Sequence, residues 1–151
     1  MSTVRPSVRI LCVDADDRVL LYCWRDPHDG QLVWEPPGGG VEAGESELQA
    51  AHRELPEETG FTVDLSEAAS MPVACDIVWN GTNRSGDERY FLARFDRAAP
   101  EPSCDHLMGY ETDMLVDVRW LTVAETASLP GVVLPPNLVE VHAGLLHPGA
   151  A

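Results

Sequence analysis

Glu54, Glu57 and Glu58 stand at positions i, i+3 and i+4 of one short segment, so on an α-helix they share one face within one turn. Three carboxylates that close repel one another and weaken an isolated helix. Their presence side by side points to a cation that they hold. Oxygen donors without thiolate or imidazole neighbours suit a hard cation, and magnesium ordinarily takes one or two protein carboxylates, several waters and the phosphates of a substrate. Gly39, Glu45, Arg53 and Gly60 accompany the glutamates in the 23-residue stretch GGVEAGESELQAAHRELPEETGF, which runs from Gly39 to Phe61.

The elements around these residues must position them. Residues 46–59 have a helical pattern: Leu48, Ala51 and Leu55 form an apolar stripe, and Gly60 falls where a left-handed residue ends a helix. At 100° per residue the three glutamates cover an arc of about 100° beside that stripe, at the border of whatever the stripe packs on. Pro56 lies inside this helix, removes the N–H that would bond the carbonyl of His52, and predicts a kink near the glutamates. Residues 36–40, Pro-Pro-Gly-Gly-Gly, predict a loop that brings bare backbone up to a ligand. Residues 7–13 and 18–24 predict a hairpin, followed by a loop over 25–30 and a short apolar stretch over 32–34. Further strands are expected over 61–63, 72–79, 90–95 and 116–121, with a second helix over 136–146 starting at Pro136 or Asn137. The polar segments 80–87 and 98–110 predict long substrate-shaping loops.

The 23-residue stretch resembles the Nudix box, G-x5-E-x7-R-E-U-x-E-E-x-G-U with U a bulky aliphatic or aromatic residue, at every specified position. Leu55 and Phe61 fill the two U places. Outside the box the resemblance is looser, through the strand pattern and the run Trp34-Glu35-Pro36-Pro37-Gly38. It implies an α/β fold, a Nudix-type α/β/α sandwich with a mixed β-sheet and a loop-helix-loop motif, in one domain over residues 1–151. It also implies a magnesium- or manganese-dependent pyrophosphohydrolase that cleaves a diphosphate linkage in a nucleoside diphosphate derivative by water attack at phosphorus. Carried over by position, Glu54, Glu57, Glu58 and the carbonyl of Gly39 are metal ligands, and Glu57 is a candidate base for the attacking water. Arg53 and Glu45 form a pair that holds the glutamates in register, with Gly60 structural. Some family members draw the base from a later loop, where Asp87, Glu88 and Glu111 are available and Glu111 is the preferred one. The catalytic set is thus Glu57, Glu54, Arg53 and Glu111.

Composition narrows the alternatives. The chain has 151 residues, the size of one ordinary domain, and 44% hydrophobic with 23% charged residues is a globular balance. All ten basic residues are arginine, so a phosphate-loop lysine, a pyridoxal Schiff base and a lysine nucleophile are all excluded. A net charge of -15 argues against nucleic acid held by its phosphate backbone. Arg25, Arg53, Arg89 and Arg94 remain to meet an anionic substrate. Trp24 and Trp79 are the candidates for stacking on a nucleobase, although tryptophan in strand-like runs more often belongs to the core. Cys12, Cys23, Cys75 and Cys104 lack metal or redox spacing and are expected to pack as small hydrophobes. His28, His52, His106, His142 and His147 are scattered, which predicts no zinc site. No apolar run suits a membrane span and residues 1–10 lack a signal-peptide core, so a cytoplasmic protein without membrane partner is expected. Family habit makes a homodimer plausible. Two rivals stand beside the main reading: a non-catalytic Nudix domain that binds a nucleotide metabolite, and a hydrolase of a non-nucleotide diphosphate.

Overall fold

The computed structural model describes residues 6–149 except His106 and Met108, and only the backbone of Tyr110. His106, one of the scattered histidines, and the first five residues of the N-terminal stretch therefore lie outside the described residues. Among the described residues eight strands form one mixed sheet: β1 (Ser7–Val13), β2 (Val19–Arg25), β3 (Leu32–Glu35), β4 (Gly38–Gly40), β5 (Ser70–Trp79), β6 (Thr82–Arg94), β7 (Leu115–Leu121) and β8 (Val132–Val133). The sheet runs β5-β6-β1-β2-β3-β8, with β4 added on β1 and β7 on β2. β1 is parallel to β6 and β3 to β8, while the other pairs are antiparallel. β1 and β2 meet at Val13 and Val19; farther along, β1 takes β4 and β2 takes β3, while β7 pairs with β2 from Val19 to Trp24.

Alternation along β1 explains the layers. Val8, Ile10 and Cys12 face α1 (Glu47–Thr59), where they pack with Ala50, Ala51 and Leu55. Leu11 and Val13 face the opposite side and pack with Leu138, Val141 and Leu145 of α3 (Leu138–Leu146). Burial on both faces is why β1 reads as an almost unbroken apolar run. Leu55 is fully enclosed between α1 and the sheet, and truncating such a side chain to alanine costs about 2–5 kcal/mol. The α/β sandwich with helices on both faces is therefore present. Among the described residues no helix is long and apolar enough to cross a membrane.

The local expectations met several corrections. The glycine run is not an irregular loop: Gly38–Gly40 forms β4, paired antiparallel with Ser7, Val8 and Arg9. Residues 61–63 are not a strand, because Phe61 leaves the helix after left-handed Gly60 and its N–H is taken by Thr59 Oγ1 at 3.0 Å. Residues 80–87 are not a long loop either. Asn80 and Gly81 both have positive φ, 51° and 76°, as a tight hairpin turn requires, and β6 begins immediately after them. The hairpin tip is latched: the buried Asp26 carboxylate accepts the Asn80 N–H at 3.1 Å. Glu111 sits in a short helix, α2 (Gly109–Met114), rather than in a loop. The helix expected over 136–146 has Asn137, one of its two candidate starts, as N-cap and runs Leu138–Leu146, and a 3-10 turn over Glu125–Ser128 went unanticipated.

Candidate active site

The helix that carries the glutamates is set at both ends by its sequence. Ser46 accepts the Gln49 N–H at 3.0 Å and Gln49 Oε1 accepts the Ser46 N–H at 2.8 Å, a reciprocal cap. At the other end Gly60 has φ 76° and its N–H reaches the carbonyl of Pro56. The helix is continuous through Pro56, because proline's missing N–H removes a single bond and tertiary packing supplies the rest. Tyr22 of β2 donates to the Glu58 carbonyl at 2.8 Å, and the Ser103 N–H donates to the Thr59 carbonyl at 2.8 Å. The last turn is thereby tied to the sheet and to the segment that precedes α2.

The three glutamates on that turn occupy different environments. Glu58 is buried at 6% exposure and its Oε2 accepts the Gly38 N–H at 2.9 Å. Burial pushes its carboxyl up to about 8, with Glu54 and Glu111 adding to the shift while Arg9 and the Gly38 N–H oppose it. Glu54 is 12% exposed in its side chain, and burial raises its carboxyl too, against the pull of Arg53. Glu57 is the open one, at 52% exposure. Arg53 binds this group together. Its Nε and Nη2 take both oxygens of Glu45 at 2.8 and 2.9 Å, its Nη2 also donates to the Gly40 carbonyl at 2.9 Å, and its Nη1 lies 2.7 Å from Glu54 and 3.3 Å from Glu57. The forked bond to Arg53 brings Glu45 down to about 2 and raises Arg53 further.

β4 closes the site. A Cβ on Gly39 would lie 2.5 Å from Glu54 Oε1, so the strand abuts this carboxylate and any larger residue there would make Glu54 shift. A Cβ on Gly38 would lie 2.1 Å from the Val8 carbonyl oxygen, which explains the second glycine. The donors gathered here are all oxygen, and two of the carboxyls are ones that burial drives towards their neutral form unless a positive charge joins them. That donor set fits a hard divalent cation. Among the described residues no three acidic, histidine or cysteine side chains converge on one point as they stand, so Glu57 and Glu54 would turn from Arg53 to complete a coordination shell.

The remaining candidates are placed as follows. Glu111 stands on α2, and its charge contributes to raising the Glu58 carboxyl. Trp24 is 8% exposed and stacks on Tyr22 at 6.0 Å within the core, and Trp79 is partly buried against the same core. Arg25 is exposed at the end of β2, bonded to the Gly30 carbonyl. Glu88 on β6 is mostly buried and bonded to Ser7 and Arg9 rather than facing solvent. Sequence reasoning missed Arg9 and Tyr22, the two sheet residues that brace the site from beneath. Arg9 was detectable in principle, as the single charge within the apolar run from Val8 to Val13.

Comparison with known proteins bears on the same features. A family model described as NUDIX domain matches residues 3–146. An RNA pyrophosphohydrolase of Erythrobacter litoralis is 39% identical over 113 residues, 68% of this chain and 65% of that protein. The match thus spans about two-thirds of the relative's length. An RNA pyrophosphohydrolase of Roseobacter denitrificans is 32% identical over 131 residues, 80% of this chain and 78% of its own. A solved NUDIX hydrolase of Nitrosomonas europaea superposes with a TM-score of 0.64 at 24% identity, covering 95% of this chain and 91% of that one, and so shares the fold. With a glycine strand, an Arg-bound glutamate helix and a family model extending over both, the chain belongs to the Nudix hydrolase family.

Proposed function

We propose that the chain is a single Nudix domain that hydrolyses the diphosphate linkage of a small nucleoside diphosphate derivative with magnesium or manganese. Hydrolases of this family generally use a divalent metal ion. Glu54, Glu57, Glu58 and the carbonyl of Gly39 would hold it, and when bound it would neutralise phosphate oxygens and draw electron density from phosphorus. The observation that carries this reading is the approach of Gly39 to Glu54 beside a Glu58 carboxyl that its surroundings alone leave poorly compensated.

The chain's own residues have separable tasks. Gly38 and Tyr22 fix Glu58 from its carboxylate and its carbonyl. Arg53 locks Glu45 and the Gly40 carbonyl together, which holds helix and strand in register. Glu57, being exposed, is the carboxylate best able to accept a proton from a water as its oxygen bonds to phosphorus and the anhydride P–O bond breaks, with Glu111 on α2 as the alternative. A cytoplasmic place of action belongs to the same reading.

A second substrate is favoured by the names of the relatives, which are RNA pyrophosphohydrolases. A 5′-terminal polyphosphate of RNA presents the same linkage, but a chain with net charge -15 and no lysine offers little to the rest of a polynucleotide. A panel of nucleoside triphosphates, nucleotide sugars, dinucleotides, isoprenyl diphosphates and 5′-triphosphorylated RNA, assayed for released monophosphate or phosphate with and without magnesium, separates these readings. Magnesium-dependent turnover of a small nucleotide supports the proposal. Turnover of RNA alone or of a non-nucleotide alone overturns the substrate class, and calorimetric nucleotide binding without turnover of anything overturns catalysis.

A further inference from the structure

Arg9 lies outside the box, is buried in β1, and meets three groups from two other segments. Its Nε is 3.1 Å from Glu88 Oε2 of β6, its Nη1 is 3.3 Å from Glu35 Oε1 at the end of β3, and Nη1 donates to the Pro36 carbonyl at 3.2 Å. The next residue continues the capture, since the Ile10 N–H donates to the Pro37 carbonyl at 2.8 Å. Two successive prolines have no N–H, so their carbonyls are the only backbone polar groups by which this turn can be tied down. β1 takes both.

The turn leads straight into β4. Gly38 pairs with Arg9 across the ladder, and a Cβ on Gly38 would lie 2.8 Å from Arg9 Cα and 3.0 Å from its Cδ. The arginine stem is therefore the surface against which the glycine strand rests. Stability alone does not ask for such a group, because a buried ion cluster can usually be exchanged for apolar or neutral residues of similar volume without loss. A planar guanidinium supplies something else: directed donors at fixed angles, which a lysine ammonium cannot reproduce.

We propose that Arg9 is a positioning residue: by gripping the Pro36 carbonyl between Glu35 and Glu88, it holds the glycine strand where Gly38 bonds Glu58 and Gly39 abuts Glu54. This inference rests on the reading of Glu54 and Glu58 as metal ligands. It also gives Glu88 a task different from that of a general base, since Glu88 anchors Arg9 to β6 with Ser7 donating to the same carboxylate oxygen at 2.7 Å.

The test compares Arg9→Met, Arg9→Lys and the triple variant Arg9→Met/Glu35→Gln/Glu88→Gln, in which the whole cluster is neutral. Amide exchange of Gly38 is read by NMR on the protein alone, and kcat and KM are read with magnesium and the preferred substrate. Arg9→Met leaves two buried carboxylates without their partner and lowers the melting temperature, whereas the triple variant recovers it. In the triple variant we expect Gly38 to exchange about tenfold faster or more, and kcat to fall about ten- to a hundredfold with KM little changed. Wild-type Gly38 exchange and kcat in a triple variant of recovered stability would overturn the proposal. If the triple variant does not fold, Arg9→Lys decides, because it keeps the charge and loses the fork: faster Gly38 exchange supports the positioning role and unchanged exchange refutes it. A Gly38 response in a protein that turns over no diphosphate would uphold the positioning and defeat the functional reading, so the two failures are distinguishable.

Discussion

Two arginines hold the glycine segment 36–40 from its two ends, and they do so in contrasting surroundings. Arg53 takes the Gly40 carbonyl from the solvent side, amid Glu45, Glu54 and Glu57, with its side chain 24% exposed. Arg9 takes the Pro36 carbonyl from inside the sheet, amid Glu35 and Glu88, and is essentially enclosed. Among the partners of Arg53, Glu57 is half exposed and can trade it for water or for another cation at little cost. Partners of Arg9 cannot, because a buried charge that loses its counter-charge has no solvent to turn to. The outer arginine therefore suits a place where groups must rearrange during a reaction, and the inner one suits a frame that must not.

Variants can break this contrast, beginning with the largest expected effect. Glu57→Gln at the outer centre is expected to lower kcat by several orders of magnitude at unchanged melting temperature, as befits an exposed group whose work is chemical. Near-normal turnover would remove Glu57 from both its proposed roles. At the inner centre, Arg9→Met is expected to destabilise by about 3–5 kcal/mol in urea unfolding, the consequence of stranding Glu35 and Glu88. A loss under about 1 kcal/mol there would show that these carboxyls are neutral when folded, and the contrast between centres would collapse. Arg53→Lys should cost little stability yet reduce kcat about ten- to a hundredfold, since one ammonium cannot serve Glu45, Glu54 and the Gly40 carbonyl together.

Acid titration sharpens the same comparison. Glu45 is held well below its ordinary value of 4.5, at about 2, by its forked bond to Arg53, so its contribution is fully present above about pH 4.5 and is lost as pH falls towards 2. Glu45→Gln should therefore lower the melting temperature at neutral pH and flatten its fall between pH 4.5 and 2. The inner centre has opposed members: Glu88 is lowered, because Arg9, Ser7 and Cys75 outweigh its burial, while Glu35 is raised by burial against the pull of Arg9. Glu88 therefore loses stabilisation as pH falls below 4.5, whereas Glu35 is relieved of its charge already above pH 4.5, so the double variant Glu35→Gln/Glu88→Gln should flatten the fall below pH 4.5 and also abolish a gain on acidification above it, which Glu45→Gln leaves in place. The smallest effect belongs to a residue outside both centres: Ser46→Ala removes the helix cap, costing about 1 kcal/mol without changing KM.

How far the sequence could be read follows the same division. The helix, its cap and its left-handed end were legible because they are local: a stripe at 3.6 spacing and a glycine at the right place suffice. The pairing of Arg53 with Glu45 was legible through the motif, and the structure places the two in a forked bond. β4 was not legible, because Pro-Pro-Gly-Gly-Gly has poor strand propensity and becomes a strand only through its ladder with Ser7, Val8 and Arg9. Segment 80–87 was misread because its polar residues form an exposed arm of β6, where burial imposes no alternation. Arg9 was overlooked because its partners lie 27 and 79 residues away along the chain.

The direction in which α1 runs has a consequence of its own. Aligned peptide dipoles leave roughly half a negative charge at the C-terminal end of a helix, and a basic side chain in the last turn commonly offsets it. α1 has none there, and it places Glu57 and Glu58 at that pole. Backbone and side chains therefore add rather than cancel, so the end of the helix acts as a concentrated source of negative potential aimed at the space beside β4. Reversing the helix, or ending it in arginine, would leave the same carboxylates with a weaker hold on any cation that arrived.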